Sequence, residues 1–155
     1  MLNNLIAYIT PENIYFAANW GVIPFWMLLI FAPHHGFTNF LTQSVFAPLL
    51  LATGYIYLSY NLYLEKNIFD GFELYSGLDG LYSVFSNEIL LLVFWLHFLA
   101  ISLFAGAWMV RDAKRFLIPK IVTIPMLTLT YFSGPVGLVI YWFIRIFFAK
   151  KISFD

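Results

Sequence analysis

The chain of 155 residues contains no cysteine, which excludes disulfide bonds, thiolate metal ligands and a cysteine nucleophile. Charged residues are also scarce, at 10% of the sequence, against about 25% in an ordinary soluble domain. Eight basic and eight acidic residues cancel, so the protein has no overall basic field that would attract nucleic acid. So little charge cannot cover a globule of this size with groups that face water, and the predicted solvent is lipid.

Hydrophobic residues make up 62% of the sequence, and most of them lie in long apolar stretches. A helix needs roughly 20 predominantly apolar residues to cross the hydrocarbon core of a bilayer. The stretches of about that length are residues 14–32, 45–64, 89–110 and 121–148. The sequence therefore predicts an all-α integral membrane bundle of about four transmembrane helices. Because there is no internal repeat or linker, we expect residues 1–155 to form a single domain.

The last apolar stretch has two possible structures, because Gly134 and Pro135 lie near its centre. Proline removes a backbone donor and clashes with the preceding turn, so a single long span would at least be kinked there. The alternative is a re-entrant pair of short helices, which requires its turn to be buried in protein or wet. From the sequence we favour the kinked span.

The basic residues bear on this choice, since the loops on the cytoplasmic side of membrane proteins carry an excess of Lys and Arg. With four spans, one side of the membrane has Arg111, Lys114, Arg115 and Lys120. The other side then has Lys66, Arg145, Lys150 and Lys151. This tie leaves the orientation undecided, whereas a re-entrant pair would place seven of the eight basic residues on one side.

Residues 65–88, between the second and third spans, have a mixed character. They contain most of the acidic residues, several glycines typical of turns, and aromatic side chains that alternate with polar groups. Aromatic rings and polar groups together suit the headgroup zone of a bilayer. We therefore predict an interfacial connection between the two helices.

His97 lies inside the third span, in the apolar run FWLHFLAISLF. It is about 13 Å deeper than Glu88, near the bilayer centre, where a polar side chain must face the bundle. The intervening nine residues rotate a helix by about 180°, so Glu88 and His97 cannot form an acid–base pair. His97 either makes an interhelical hydrogen bond or lines a ligand slot or proton path. The candidate hydrogen-bond partners are Thr128, Thr130 and Asn19.

Two carboxylates lie at the ends of the third span. Glu88 is in the first turn, where the helix dipole favours a negative charge, and it either caps the helix or takes part in chemistry. Asp112 follows Arg111 at the other end, where the two residues either anchor the helix at the membrane boundary or supply catalytic groups.

Motifs for metals and cofactors are missing. His34 and His35 are adjacent in one loop, but no third ligand is near them in sequence. No Ser-His-Asp order, glycine-rich phosphate loop or paired-histidine helix motif is present. We therefore predict neither a metal nor a cofactor.

Aromatic residues are unusually frequent, at 21% of the chain, with 18 Phe, 10 Tyr and 5 Trp. They are not confined to the membrane boundaries, since Trp26, Trp95 and Trp108 lie within the spans. Flat, rigid rings along helix faces suit a long, flat apolar ligand such as a polyene or a quinone tail. The simpler interpretation is that the rings pack helices together and anchor them at the headgroups.

Several short segments follow one another in an order and at a spacing that are together fairly specific. They are NWGVIPFW (19–26), followed by Pro33, then FSNE (85–88), WLHFLAISLF (95–104), RD (111–112) and SGPVGL (133–138). In this combination the chain resembles the abscisic-acid-deficient-four-like membrane proteins, a family associated in plants with the formation of neoxanthin from violaxanthin. Members commonly carry an acidic residue just before the Leu-Phe pair. Here that position is Ser102, so one candidate proton donor or acceptor is missing.

The resemblance implies a carotenoid or similar polyene as substrate or ligand. Neoxanthin formation opens an epoxide while a proton leaves the neighbouring polyene carbon, so a proton donor and an acceptor must both be within reach. A carotenoid is about as long as the hydrocarbon core is thick, roughly 30 Å, so its oxygenated end rings would lie at the membrane boundaries. Glu88 and Asp112 are therefore the candidate catalytic residues.

The polyene itself would lie among aromatic and polar side chains of the spans. The predicted ligand-binding residues are Asn19, Trp26, Trp95, His97, Phe104, Trp108 and Arg111. On one side of the third span, helical spacing allows a continuous groove formed by His97, Phe104, Trp108 and Arg111.

The sequence favours two functions over a third, a small transporter, because ionisable groups inside the membrane are too few for an obvious ion path. The first is an isomerase that acts on epoxy-carotenoids. The second is a non-catalytic pigment-binding or assembly partner of another membrane complex, since acid–base pairs are scarce in this chain. We expect a multi-pass protein of a bacterial inner membrane or a plastid membrane, with lipid around it and a membrane protein or a second copy as possible partners.

Overall fold

The computed structural model describes residues 9–43, 46–65, 72 and 75–149. In this part of the chain the long elements are all helices, which confirms the all-α prediction. They are α1 (Pro11–Phe31), α2 (Phe46–Glu65), α3 (Leu78–Phe85), α4 (Glu88–Arg115), α5 (Lys120–Ser133) and α6 (Pro135–Ala149). A short helical turn, Gly36–Thr38, and a π-helical segment, Asn39–Gln43, lie between α1 and α2.

Three stretches are long and apolar enough to cross a membrane, by length and composition. They are Pro11–Phe31, Gly36–Leu64 and Glu88–Arg115, and the shorter apolar helix Pro135–Ala149 follows them. These elements confirm a membrane bundle of about four helices. Helix α4 continues past the predicted end at residue 110 because the basic residues that follow are good helix formers whose charges favour the last turn.

The packing divides the chain into two compact units, Met1–Gly21 with Leu50–Leu99, and Val22–Leu49 with Ala100–Asp155. In the first unit, Gly54 faces Leu96, whose Cδ1 would lie 3.4 Å from an added Cβ. In the second unit, the Trp26 indole packs on Gly106 so closely that a Cβ there would lie 2.8 Å from the ring. Glycine at residue 106 therefore makes room for a buried indole.

A tight turn joins α4 to α5 in the second unit. The Ile118 N–H donates to the Ala113 carbonyl at 2.9 Å, across the end of the helix, and Leu117 between them has a φ of 54°. This is the hydrogen bond of a Schellman motif, which usually has glycine at the left-handed position. Leu117 is 85% exposed, so an apolar side chain projects from the turn.

The last apolar stretch is broken in two at Gly134, where φ is 53° and glycine is favoured. Pro135 then begins α6, at the helix position where proline is tolerated best. A Cβ on Gly137 would lie 2.6 Å from the carbonyl oxygen of Met126, although residues eleven apart in one continuous helix are about 16 Å apart. Helices α5 and α6 therefore lie side by side. This geometry supports the paired-helix alternative over the kinked span that we favoured from the sequence.

Part of the predicted interfacial connection is described. Helix α3 lies within it, and the aromatic side chains of Phe72, Tyr75 and Tyr82 are exposed. The described residues do not include 66–71 and 73–74. Lys66 therefore lies outside them, as do Lys150 and Lys151. The interfacial role of residues 65–88 and the single domain stay predictions.

Candidate functional site

The second unit contains a buried charge cluster, formed by Asp112 of α4 with Tyr141 and Arg145 of α6. The Arg145 Nε donates to both carboxylate oxygens of Asp112, at 3.0 Å to Oδ1 and 2.9 Å to Oδ2. The Tyr141 hydroxyl donates to Oδ2 at 2.8 Å. Both carboxylate oxygens are therefore already engaged by groups of the protein itself.

The helices bring this cluster together. Tyr141 and Arg145 are four residues apart and so lie on the same face of α6. Aromatic rings close the cluster on two sides: the Arg145 guanidinium lies 4.6 Å from the centre of the Phe116 ring, and Trp108 meets Tyr141 edge to face at 5.8 Å. The guanidinium thus gains a cation–π contact as well as its ion pair.

These contacts change the interpretation of the sequence at the end of α4. Asp112 is only 7% exposed and pairs with Arg145, whereas the adjacent Arg111 is exposed. The two neighbours therefore have different environments. Because its oxygens are occupied and buried, Asp112 is placed to hold α6 against α4 rather than to accept a proton from a ligand.

A second candidate site is a cleft of about 420 Å³ in the first unit. We call it the acidic cleft, and its lining is Pro11, Glu12, Tyr15, Glu88, Leu91, Leu92 and Trp95. The first turns of α1 and α4 each contribute one exposed carboxylate, Glu12 and Glu88. Two acids, a phenol and an indole therefore share one cavity with apolar walls.

Asn19 orients the aromatic side of the acidic cleft. Its Oδ1 accepts a hydrogen bond from the Trp95 Nε1 at 3.1 Å, and its Nδ2 donates to the Tyr15 carbonyl at 2.8 Å. Trp95 also stacks on Phe98, with ring centres 5.4 Å apart. The structure thus brings together two predicted ligand-binding residues, Asn19 and Trp95, beside the predicted catalytic residue Glu88.

Glu88 does not cap its own helix. The Asn87 Oδ1 accepts from the backbone N–H groups of Ile89 and Leu90, both at 3.1 Å, which is the usual bonding of an N-cap side chain. The capping interpretation of Glu88 is therefore replaced by one in which Asn87 caps α4 and the Glu88 carboxylate lines the cleft.

His97 is not in the interior where the sequence placed it. Its side chain is exposed, and its ring lies 6.2 Å from that of Tyr55 in a tilted contact. The proposed hydrogen-bond partners bond elsewhere, since Thr128 and Thr130 donate to carbonyls one turn back in α5. The prediction that His97 is buried was wrong, because α4 has an exposed face as well as a packed one.

The remaining predicted ligand-binding residues differ in their environments. Trp26 is buried, meets Tyr131 edge to face at 5.4 Å, and therefore acts as a packing residue. Phe104 and Arg111 are exposed and Trp108 is half-buried, all on one face of α4. Of the two rings on that face, Phe104 is exposed, whereas Trp108 also packs on Tyr141.

Sequence reasoning missed Glu12, Tyr141 and Arg145. For the last two a signal existed, because an arginine four residues after a tyrosine within an apolar helix requires a buried partner. Glu12 carried no such signal, since a single acid in a first turn is common at helix N-termini. His35 has a local role, in which its Nδ1 accepts from the Phe37 N–H at 3.3 Å.

Comparisons with known proteins agree with the resemblance noted in the sequence. A family model described as ABA DEFICIENT 4-like matches residues 13–141. A curated relative, Protein ABA DEFICIENT 4, chloroplastic, from Arabidopsis thaliana, is 27% identical over 131 residues. The match covers 83% of this chain and 58% of the relative, so the chain spans little more than half the relative's length. No solved structure matches the chain.

Proposed function

The chain belongs to the ABA DEFICIENT 4-like family, and from this premise we propose that it binds an oxygenated carotenoid in a membrane and isomerises its epoxide end group. The family resemblance supplies the substrate class. The observation that carries the proposal is the acidic cleft, because it combines two carboxylates with aromatic walls. Such a cleft suits an end ring that is apolar except for its oxygens.

The chemistry requires one proton to be given and one to be taken. The epoxide C–O bond breaks and its oxygen is protonated, while a proton leaves the neighbouring polyene carbon and its electron pair forms the new double bond of an allene. No oxidant or reductant is needed. Two carboxyl groups suffice, one to give the proton and one to take it, and Glu88 and Glu12 are the pair that this cleft offers.

Asp112 has a different role in this proposal. Its carboxylate is bound by Arg145 and Tyr141, so a ligand would have to displace both groups before Asp112 accepted a proton. We therefore assign proton transfer to Glu88 and Glu12, and the holding of α6 to Asp112.

A second candidate function is that of a pigment-binding or assembly partner without catalysis. The exposed Phe104 and the half-buried Trp108 on one face of α4 favour it, since such rings hold a polyene without any acid–base chemistry. Glu88 and Glu12 would then transfer no proton.

The first experiment tests binding. The full chain, purified in mild detergent from a host that makes carotenoids, is expected to retain a pigment with the structured visible absorption of a polyene. A colourless preparation would contradict both candidate functions.

The second experiment separates enzyme from carrier. Incubation with violaxanthin followed by chromatography should yield neoxanthin, and Glu88→Gln and Glu12→Gln should each lower the turnover by about 100-fold or more while pigment is retained. Asp79→Asn is the matched control, because Asp79 is an exposed acid in the first turn of α3 and does not line the cleft. Equal turnover in all four proteins would exclude this catalytic pair.

The setting of the protein is also part of the proposal. The Arabidopsis relative is chloroplastic by name, which supports a plastid membrane, and the comparisons give no support to the bacterial inner membrane that the sequence left open. The length and composition of the apolar helices suit a lipid environment in either case. A partner protein or a second copy of the chain stays a prediction.

A further inference from the structure

A second cavity, of about 310 Å³, lies in the second unit near the turn between α4 and α5. Its walls are mainly aliphatic, from α1, α4 and α5, and include the buried Leu29, Val110 and Leu127. None of the residues that the proposed carotenoid chemistry uses lines it. It is therefore a separate cavity, which we call the basic cleft.

The charged residues that line the basic cleft are both lysines. Lys114 and Lys120 line it and are exposed, and His34 adds an imidazole. No acidic side chain is among the lining residues, and within the described parts of the chain neither lysine forms an ion pair. The acid nearest in sequence, Asp112, is neutralised by Arg145.

From this combination we infer that the basic cleft binds an anionic membrane lipid, with its phosphate or comparable headgroup between Lys114 and Lys120 and an acyl chain against the aliphatic walls. Basic pockets at the ends of membrane helices select such headgroups by charge, and apolar surface selects the tail. The site neither uses nor depends on the proposed isomerase activity.

The position of the lysines suits this ligand. Lys114 is in the last turn of α4 and Lys120 begins α5, so both lie where an apolar helix ends and the polar headgroup zone is expected to begin. Their aliphatic stems extend along the cleft while the ammonium groups stay near water. The exposed Leu117 in the same turn adds apolar surface at that level, also lining the cleft.

Binding is measured on the delipidated full chain in neutral detergent, by native mass spectrometry and by the shift in melting temperature. Phosphatidylglycerol is expected to bind one per chain and to raise the Tm, whereas phosphatidylcholine, which has no net charge, should bind at least tenfold more weakly. Glycerol 3-phosphate, which has the anion without the tail, should leave the Tm unchanged. Equal effects of the two phospholipids, or an effect of glycerol 3-phosphate equal to that of the lipid, would overturn the inference.

Variants locate the site. Lys114→Gln and Lys120→Gln should each weaken phosphatidylglycerol binding about fivefold, which is the contribution of one basic residue near a membrane surface. Arg115→Gln removes the same charge from the same helix end, but Arg115 does not line the cleft and should have a smaller effect. All three residues are exposed, so folding is expected to be kept. Equal losses in all three variants would show general charge attraction and contradict a built site.

Discussion

A carboxylate in an apolar interior is stable only when both its charge and its lone pairs are satisfied. For Asp112, Arg145 supplies the opposite charge and Tyr141 a second hydrogen-bond donor. Taking two ions out of water is costly, so such a pair adds little net stability compared with two apolar residues. The loss of one partner alone is more serious, because the remaining ion stays buried.

We expect Asp112→Asn to lower the free energy of unfolding by about 3–5 kcal/mol, since Arg145, fully buried, would lose its counter-charge. The measurement is denaturant unfolding of the purified protein in detergent micelles. The double variant Asp112→Leu with Arg145→Leu should regain most of the loss. A single variant as stable as the wild-type protein would show that the ion pair does not hold α6.

Helices α5 and α6 show which features of a helix pair can be predicted from the sequence. The dipeptide Gly134-Pro135 marked the break correctly, because glycine supplies the positive φ and proline starts the next helix. The direction that α6 takes after the break could not be predicted from the residues around it. It depends on the close approach of Gly137 to Met126 and on Tyr141 and Arg145 reaching Asp112, contacts between residues far apart in sequence.

The packing of α5 against α6 depends on the absence of a side chain at residue 137. We expect Gly137→Ala to destabilise the protein by about 1–3 kcal/mol, because the added methyl group would overlap the backbone of α5 near Met126 and Thr130. Thermal unfolding in detergent measures this loss of stability.

Gly21→Ala provides the matched control, since nothing lies within 4 Å of the added Cβ and alanine favours a helix interior by about 0.5–1 kcal/mol. A Gly137→Ala protein that melts at or above the wild-type temperature would contradict the side-by-side arrangement of the two helices.

For the whole molecule, composition alone was sufficient to predict a membrane bundle, because 10% charged residues cannot cover a soluble surface. The sites were less predictable. The sequence named Glu88 and Trp95 for different roles, and the structure places both in the lining of one cavity together with Glu12 of another helix. His97 was misplaced because composition says that a helix is in lipid without saying which of its faces is packed.

The pairing of α5 with α6 also changes the predicted membrane topology. If the two helices are re-entrant, seven of the eight basic residues lie on one side, as the excess of Lys and Arg on the cytoplasmic side requires. The α4–α5 turn and the C-terminus would then face the same side of the membrane. A single spanning helix would put them on opposite sides.

Labelling tests this topology directly, since the chain has no cysteine of its own. Single cysteines at Leu117→Cys and at an added C-terminal residue should react with a membrane-impermeant maleimide from the same side of sealed vesicles. Asp79→Cys, before α4, should react from the opposite side. If Leu117→Cys and the C-terminal cysteine react from opposite sides, the result would support the single kinked span instead.

The ion pair between α4 and α6 has a consequence for how this sequence can change over generations. Asp112 and Arg145 are separated by a whole helix and two turns in the chain, yet neither can be lost safely before the other. A lineage that replaces them must change both codons nearly together, or pass through an ancestor whose protein is less stable. Across divergent relatives the two positions should therefore covary, as matched charges or as matched hydrocarbons.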